Sequence, residues 1–143
     1  MAHDGQYDLM IETPVMKDIL ALTQQAVKPL ETLNTKAINN LRELVTLDNK
    51  VSSSLIETHQ SAAHGVAWLA TYTESIRQMV KWGEKVSEQN KFGQTEQLLL
   101  QIAVSEYLGQ ILGGIMMSQG EIFRLSDIGL TCLLYTSDAA DEL

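Results

Sequence analysis

Trp68-Leu-Ala-Thr-Tyr-Thr-Glu-Ser-Ile-Arg-Gln-Met-Val-Lys-Trp82 is the stretch whose spacing decides the fold. Trp68, Tyr72, Ser75, Met79 and Trp82 fall at i, i+4, i+7, i+11 and i+14, the period of an α-helix, so both indoles lie along one stripe. A second face carries Ala63, Ala67, Ala70 and Val80, small side chains that let a neighbouring helix approach. Upstream, Ser54-Leu-Ile-Glu57 has the Ser-x-x-Glu spacing of a capping box, in which hydroxyl and carboxylate each satisfy an orphan backbone donor. Downstream, Asn90-Lys-Phe-Gly93 closes the run, with Gly93 placed to take a left-handed cap. One long helix is therefore expected over 54–89. If the Trp68 indole is buried, Trp68→Ala costs about 3–5 kcal/mol.

The same period continues on both sides. Thr13-Pro14 reads as a helix start, a capping hydroxyl followed by proline at the first helical position. Val15, Met16, Ile19, Leu20, Ala26 and Val27 then share a face. Pro29, having no N–H to donate, should break or kink that helix or open the next one. Leu30, Leu33, Ala37, Ile38, Leu41, Leu44 and Val45 carry the period to a turn at Asp48-Asn49-Lys50. Beyond Gly93, Thr95 is placed to cap a further helix whose buried side is read as Leu98, Leu99, Ile102, Ala103 and Leu108 through Leu112. Gly113-Gly114 interrupts it, Ile115 to Ser118 reads as a connection, and helix resumes briefly over 120–126 before Asp127-Ile-Gly129. There is no internal repeat and no alternating run, so strands are not expected. The fold class is all-α: an antiparallel helical bundle with one long central helix.

Composition narrows the function by exclusion. The 143 residues are 45% hydrophobic and 20% charged, an ordinary globular balance that fits one domain or a piece of a larger one. A formal charge of −8 and pI near 4.7 argue against nucleic acid, whose partners present a basic face. No apolar run approaches the roughly 18 residues of a membrane span. The first residues, Met-Ala-His-Asp-Gly-Gln-Tyr-Asp, have neither basic flank nor apolar core, so no secretory signal is read there and the compartment expected is the cytoplasm. Cys132, the single cysteine, rules out an intramolecular disulfide framework and a Cys-based zinc site.

No catalytic constellation emerges. His59 and His64 stand five residues apart, roughly 140° around a helix, so they do not share a face as an i, i+4 metal pair would. Glu57 lies two residues before His59, not at the Glu-x-x-His spacing of di-iron bundles, and structural roles are read for both histidines. His3 sits in a terminus expected to be flexible over 1–12. The Trp68, Tyr72, Trp82 stripe could line a pocket, but at helical spacing it is read as core. Gly109, Gly113 and Gly114 follow no strand and precede no Lys-Ser/Thr, so they make no phosphate loop. Glu106-Tyr107 is read as a solvated or capping pair. No catalytic, cofactor-binding or metal-ligating residue is assigned.

The end of the chain stands apart. Cys132-Leu-Leu-Tyr-Thr-Ser-Asp-Ala-Ala-Asp-Glu142 resembles one translated frame of a transposase-type sequencing adapter, whose final partial codon demands Asp or Glu where position 142 has Glu. The competing reading is a genuine strand followed by an acidic end, since Leu133-Leu-Tyr-Thr136 has some β-propensity. On the adapter reading residues 132–143 are non-native. Without Asp138, Asp141 and Glu142 the formal charge moves from −8 to −5, and the cysteine disappears.

Three blocks carry a family resemblance: Leu55-Ile-Glu-Thr-His-Gln-Ser-Ala-Ala-His-Gly-Val-Ala-Trp-Leu-Ala-Thr-Tyr72; Gly93-Gln-Thr-Glu-Gln-Leu-Leu-Leu-Gln-Ile-Ala103 with Glu106-Tyr-Leu-Gly-Gln-Ile-Leu-Gly-Gly-Ile115; and Ser118-Gln-Gly-Glu-Ile-Phe-Arg-Leu-Ser-Asp-Ile-Gly129. Together they resemble the amino-terminal helical extension of bacterial flavin-dependent acyl-CoA dehydrogenases, most closely the methylsuccinyl-CoA type. The resemblance spans about 13–129; Met116 departs from it, standing where proline is expected. It implies that 13–131 is the extension region of a longer, homo-oligomeric enzyme, in which FAD lies between a helical domain, a β-domain and a second helical domain. It further implies α,β-dehydrogenation of an acyl-CoA: a glutamate takes the α-proton, the β-hydride passes to flavin N5, and an electron-transferring flavoprotein reoxidises the flavin. In the methylsuccinyl-CoA branch the product is mesaconyl-CoA. No position here matches the catalytic, FAD or CoA motifs, so the resemblance transfers no site residue and implies a fragment inactive alone, without FAD. The alternative is an autonomous helical interaction module without catalysis.

Overall fold

The computed structural model describes residues 15–130. Thr13-Pro14, His3 and the 1–12 terminus, together with the tail that includes Cys132, lie outside the described residues. Within them are α1 (Ile19–Val45), the ribbon β1 (Thr46–Leu47) and β2 (Lys50–Val51), α2 (Ser53–Thr58), α3 (Gln60–Glu88) and α4 (Gln94–Gly113). A closing segment follows, in which β3 (Ile115–Met116) pairs antiparallel with β4 (Ile122–Phe123) and short 3-10 turns occupy Ser118–Gly120 and Leu125–Ile128. The result is an all-α bundle around one long central helix, as the periodicity predicts.

α3 is flanked by both other long helices and runs antiparallel to each. Leu20 near the start of α1 approaches Gly83 near the end of α3, and Tyr72 of α3 bonds Gln110 late in α4. The core is drawn from Leu30, Leu33 and Ala37 of α1, Val66, Leu69, Ile76 and Val80 of α3, and Leu100, Val104 and Ile111 of α4. Phe123, Leu125, Ile128 and Leu130 of the closing segment seal one end. Phe123 is seated on Gly65: a Cβ there would overlap the ring, so only glycine lets the segment lie this close to α3. Asn40 Nδ2 donates to the Ile128 carbonyl at 2.8 Å, tying α1 to the same segment.

Several local expectations are corrected. α1 passes through Pro29 without a break. Pro29 and Gln25 are both exposed, so water can satisfy the carbonyl that the missing N–H leaves free. The expected helix over 54–89 is two helices, interrupted at His59 (φ −106°, ψ 31°), and its N-cap is Ser52. Ser52 Oγ accepts from the Leu55 N–H at 3.4 Å, so the Ser54–Glu57 box is not used. At the far end Asn90 takes the left-handed conformation (φ 56°), not Gly93. Gly93 is extended and caps α4 in place of Thr95, its N–H held by the Glu96 carboxylate at 3.0 Å.

Strands do occur, as two-residue pairs. Asp48 and Asn49 both have positive φ, the geometry a two-residue hairpin needs, so the turn read at 48–50 closes β1 on β2. The helix expected over 120–126 is instead β4 and the start of a 3-10 turn. The buried side of α4 matches the expectation in part: Ile111 is buried and Leu108 packs against the core, but Leu99, Ile102 and Leu112 face out, and Leu100 and Val104 are buried in their place. On α3, Ala67 is exposed, and the line that buries is Val66, Leu69, Thr73, Ile76 and Val80.

Candidate functional site

The aromatic stripe read from the sequence is the most connected polar feature of the bundle. Only Tyr72 is buried; Trp68, Met79 and Trp82 are half-buried against the core. The Trp68→Ala cost should therefore fall below the value for a fully buried indole. The Trp68 ring meets Tyr72 edge-on at 5.9 Å, and Tyr72 lies 4.5 Å from Tyr107 of α4. Tyr72 Oη donates to Gln110 Oε1 at 2.8 Å. Burial, and then the neighbouring Tyr107, push the Tyr72 phenol above its ordinary value of 10.0. This group is held neutral as a donor, a role in packing rather than in proton abstraction.

His64 is exposed at the other end of this line. Its Nε2 accepts the Trp68 indole N–H at 3.0 Å, one helical turn away, so the imidazole orients the indole. His59 lies apart, at the α2–α3 break. Glu106 points outward from α4 while its neighbour Tyr107 joins the aromatic line, so the pair is split across two faces. Tyr107 is singled out in the sequence only as the neighbour of Glu106, and neither it nor Gln110 is read there as a partner of Tyr72. Their i, i+3 spacing places them on one side of α4, the one available signal.

A cleft of about 420 Å³ opens at the helix break, lined by Glu57, His59, Ser61, Met117, Phe123 and Asp127 among others. Asp127 is already engaged, its carboxylate accepting from the Arg124 N–H at 2.7 Å. Ser61 Oγ donates to Glu121 at 3.5 Å. Two carboxylates, Glu57 and Asp127, and no Lys or Arg in the lining disfavour a phosphate or pyrophosphate ligand there. Among the described residues, no three His, Cys, Asp or Glu side chains gather closely enough to hold a metal ion. No described helix is long and apolar enough to cross a membrane.

The outward face of α4 differs from the other surfaces. Leu99, Ile102 and Leu112 are 51%, 59% and 50% exposed. Cβ atoms built on Gly109 and Gly113 meet nothing within 4 Å. Glu106 is the one charge on this face; Glu96, the other on the helix, is occupied at its first turn.

No protein-family model matches the chain. It is similar to the (2S)-methylsuccinyl-CoA dehydrogenase of Cereibacter sphaeroides, with 48% identity over 121 residues, 85% of this chain. The chain spans 22% of the length of that enzyme. Identity at this level over a bundle of this size makes the chain a relative of one region of that dehydrogenase.

Proposed function

We propose that residues 13–131 are the amino-terminal helical extension of a flavin-dependent acyl-CoA dehydrogenase. The reaction of the longer enzyme is α,β-dehydrogenation of an acyl-CoA, in this branch (2S)-methylsuccinyl-CoA to mesaconyl-CoA. The observation that carries this reading is the 48% identity over 121 residues, supported by the three sequence blocks and the all-α bundle they build. On this reading FAD, acyl-CoA, the electron-transferring flavoprotein and the catalytic glutamate meet in other parts of the polypeptide. The described residues do not fit FAD: the cleft at the α2–α3 break is lined by the carboxylates Glu57 and Asp127 and by no Lys or Arg, and no glycine-rich loop stands ready for a pyrophosphate among the described residues. The extension therefore buttresses the catalytic core or a subunit contact in a homo-oligomer, and is inactive alone. Residues 132–143 are read as adapter-encoded.

A long read through the source locus across codon 131 tests this. A frame that continues into a flavin-binding β-domain and a glutamate-bearing helical domain is the expected result. A native stop shortly after Gly129 overturns it in favour of an autonomous helical interaction module, a reading favoured by the closed core, in which Leu30, Leu69, Ile76 and Leu100 are at most 1% exposed. A visible flavin absorption band in the purified chain would overturn the proposal that it carries no FAD.

A further inference from the structure

α4 buries one side and leaves a second apolar side in water. Around the helix axis Leu99, Ile102, Gly109 and Gly113 fall within about 80° of one another, directly away from the buried line of Leu100, Val104 and Ile111. Leu112 flanks this stripe, which runs about 21 Å from Leu99 to Gly113. Solvated helix faces ordinarily carry charge, as α1 does with Lys28 and Glu31 and α3 with Glu74 and Lys81, all exposed. This one carries Glu106. The other exposed aliphatics sit on the two hairpins, Leu47 and Val51 on β1–β2 and Met116 and Ile122 on β3–β4, or singly on helices, as Leu22 and Leu44 near opposite ends of α1.

We propose that the outward face of α4, centred on Ile102 and Gly109, is where the rest of an acyl-CoA dehydrogenase polypeptide packs on this bundle. This rests on the function proposed above. The occupant follows from three observations. The bundle corresponds to 22% of the related enzyme, so most of that polypeptide lies outside it and needs a surface to meet. The face is apolar and almost uncharged, the character of a permanent intrachain contact rather than of a transient polar one. The open glycines at 109 and 113 leave room for another backbone to come close.

Thiol labelling separates the outcomes. Ile102→Cys and, as a control on the exposed side of α3, Lys81→Cys are made in this chain and in a chimera. In the chimera this chain replaces the matching region of the Cereibacter sphaeroides enzyme. Both cysteines should label quickly in the chain alone. In the chimera Ile102→Cys should slow by about tenfold or more while Lys81→Cys is unchanged. Equal labelling in a flavin-loaded, active chimera overturns the docking face and leaves the proposed function standing. If the chimera does not assemble, the same substitution is read at the position of the intact Cereibacter sphaeroides enzyme that aligns with Ile102. Fast labelling there overturns the proposal; slow labelling supports it, and the failed chimera counts against the functional reading alone. Slow labelling already in the isolated chain, with a sedimenting dimer that Ile102→Glu splits, overturns the proposal in favour of a second copy.

Discussion

Along α3, Glu74, Lys81 and Lys85 face water, Val66, Leu69, Ile76 and Val80 face the core, and both glycines are packed. Gly65 receives Phe123 and Gly83 receives Leu20 and Leu100. Along α4, apolar residues occur on every side, and Gly109 and Gly113 face open space. The two helices lie against each other and share one core. α3 has solved its packing within this bundle; α4 leaves Leu99, Ile102 and Leu112 in water. An amphipathic helix is oriented by its own sequence, whereas an apolar one is oriented by what its neighbours leave for it.

Truncation should expose this asymmetry most strongly. Leu69→Ala, on the central line of α3, should cost about 2–5 kcal/mol in denaturant unfolding of the chain. Ile102→Ala should stay within roughly 0.5 kcal/mol of the unaltered chain, because the removed atoms already face water. A cost for Ile102→Ala comparable to that of Leu69→Ala would break the comparison and turn α4 around.

Glycine substitution sharpens it with opposite signs. Gly65→Ala pushes a methyl into the Phe123 ring and should destabilise by about 1–3 kcal/mol, as overpacking does. Gly109→Ala meets nothing within 4 Å and gains helix propensity, so thermal melts should show stabilisation of about 0.5–1 kcal/mol. Two losses would mean that Gly109 is already packed against a partner in the isolated chain.

The contrast also sets how much could be read from sequence. The period of Trp68 to Trp82 is clean because charges interrupt it, so the existence of α3 is legible, while its most buried line, Val66, Leu69, Thr73, Ile76 and Val80, lies beside the aromatic stripe and not on it. In α4, Leu98-Leu99-Leu100 offers three faces at once: the side read as buried takes in Ile111 and Leu108, which do meet the core, together with Leu99, Ile102 and Leu112, which face water, and it omits Leu100 and Val104. The Phe123–Gly65 seat depends on a segment more than fifty positions further along the chain, which no local window reports. Pro29 misled because the cost of a proline depends on whether the freed carbonyl meets water, a tertiary fact. His64 and the aromatic stripe do form one hydrogen-bonded and stacked line, through Trp68 to Tyr72; the tie from Tyr72 to Tyr107 and Gln110 was not legible, since it joins two helices.

The α3–α4 seam itself is tested at Tyr72, whose phenol is the hydrogen bond between them. Tyr72→Phe should cost about 1 kcal/mol, the net worth of one such bond. Its pKa is raised in the fold by burial and by Tyr107, so the unfolded chain ionises first as pH climbs. The contribution is complete below the ordinary value of 10.0 and is lost as pH rises through the higher folded value. Melting temperature should therefore fall more steeply in alkali for the parent chain than for Tyr72→Phe. Parallel curves would place Tyr72 in water and loosen the seam.

The smallest effect belongs to the outer face of α3. Glu74 accepts from Arg77 Nε and Nη2 and from Gln78 Nε2, each at 2.7 Å. The Arg77 hydrogen bond chiefly, then that of Gln78, lowers its carboxyl from 4.5 to about 2. A folded value below the unfolded one means stabilisation that is complete above pH 4.5 and disappears as pH falls through about 2. Because the pair is fully exposed, water and salt screen it, and the difference from Glu74→Gln should be slight. The two melting temperatures should converge on acidification across that window, and added salt should shrink the gap at neutral pH. Divergence in acid would reverse the sign.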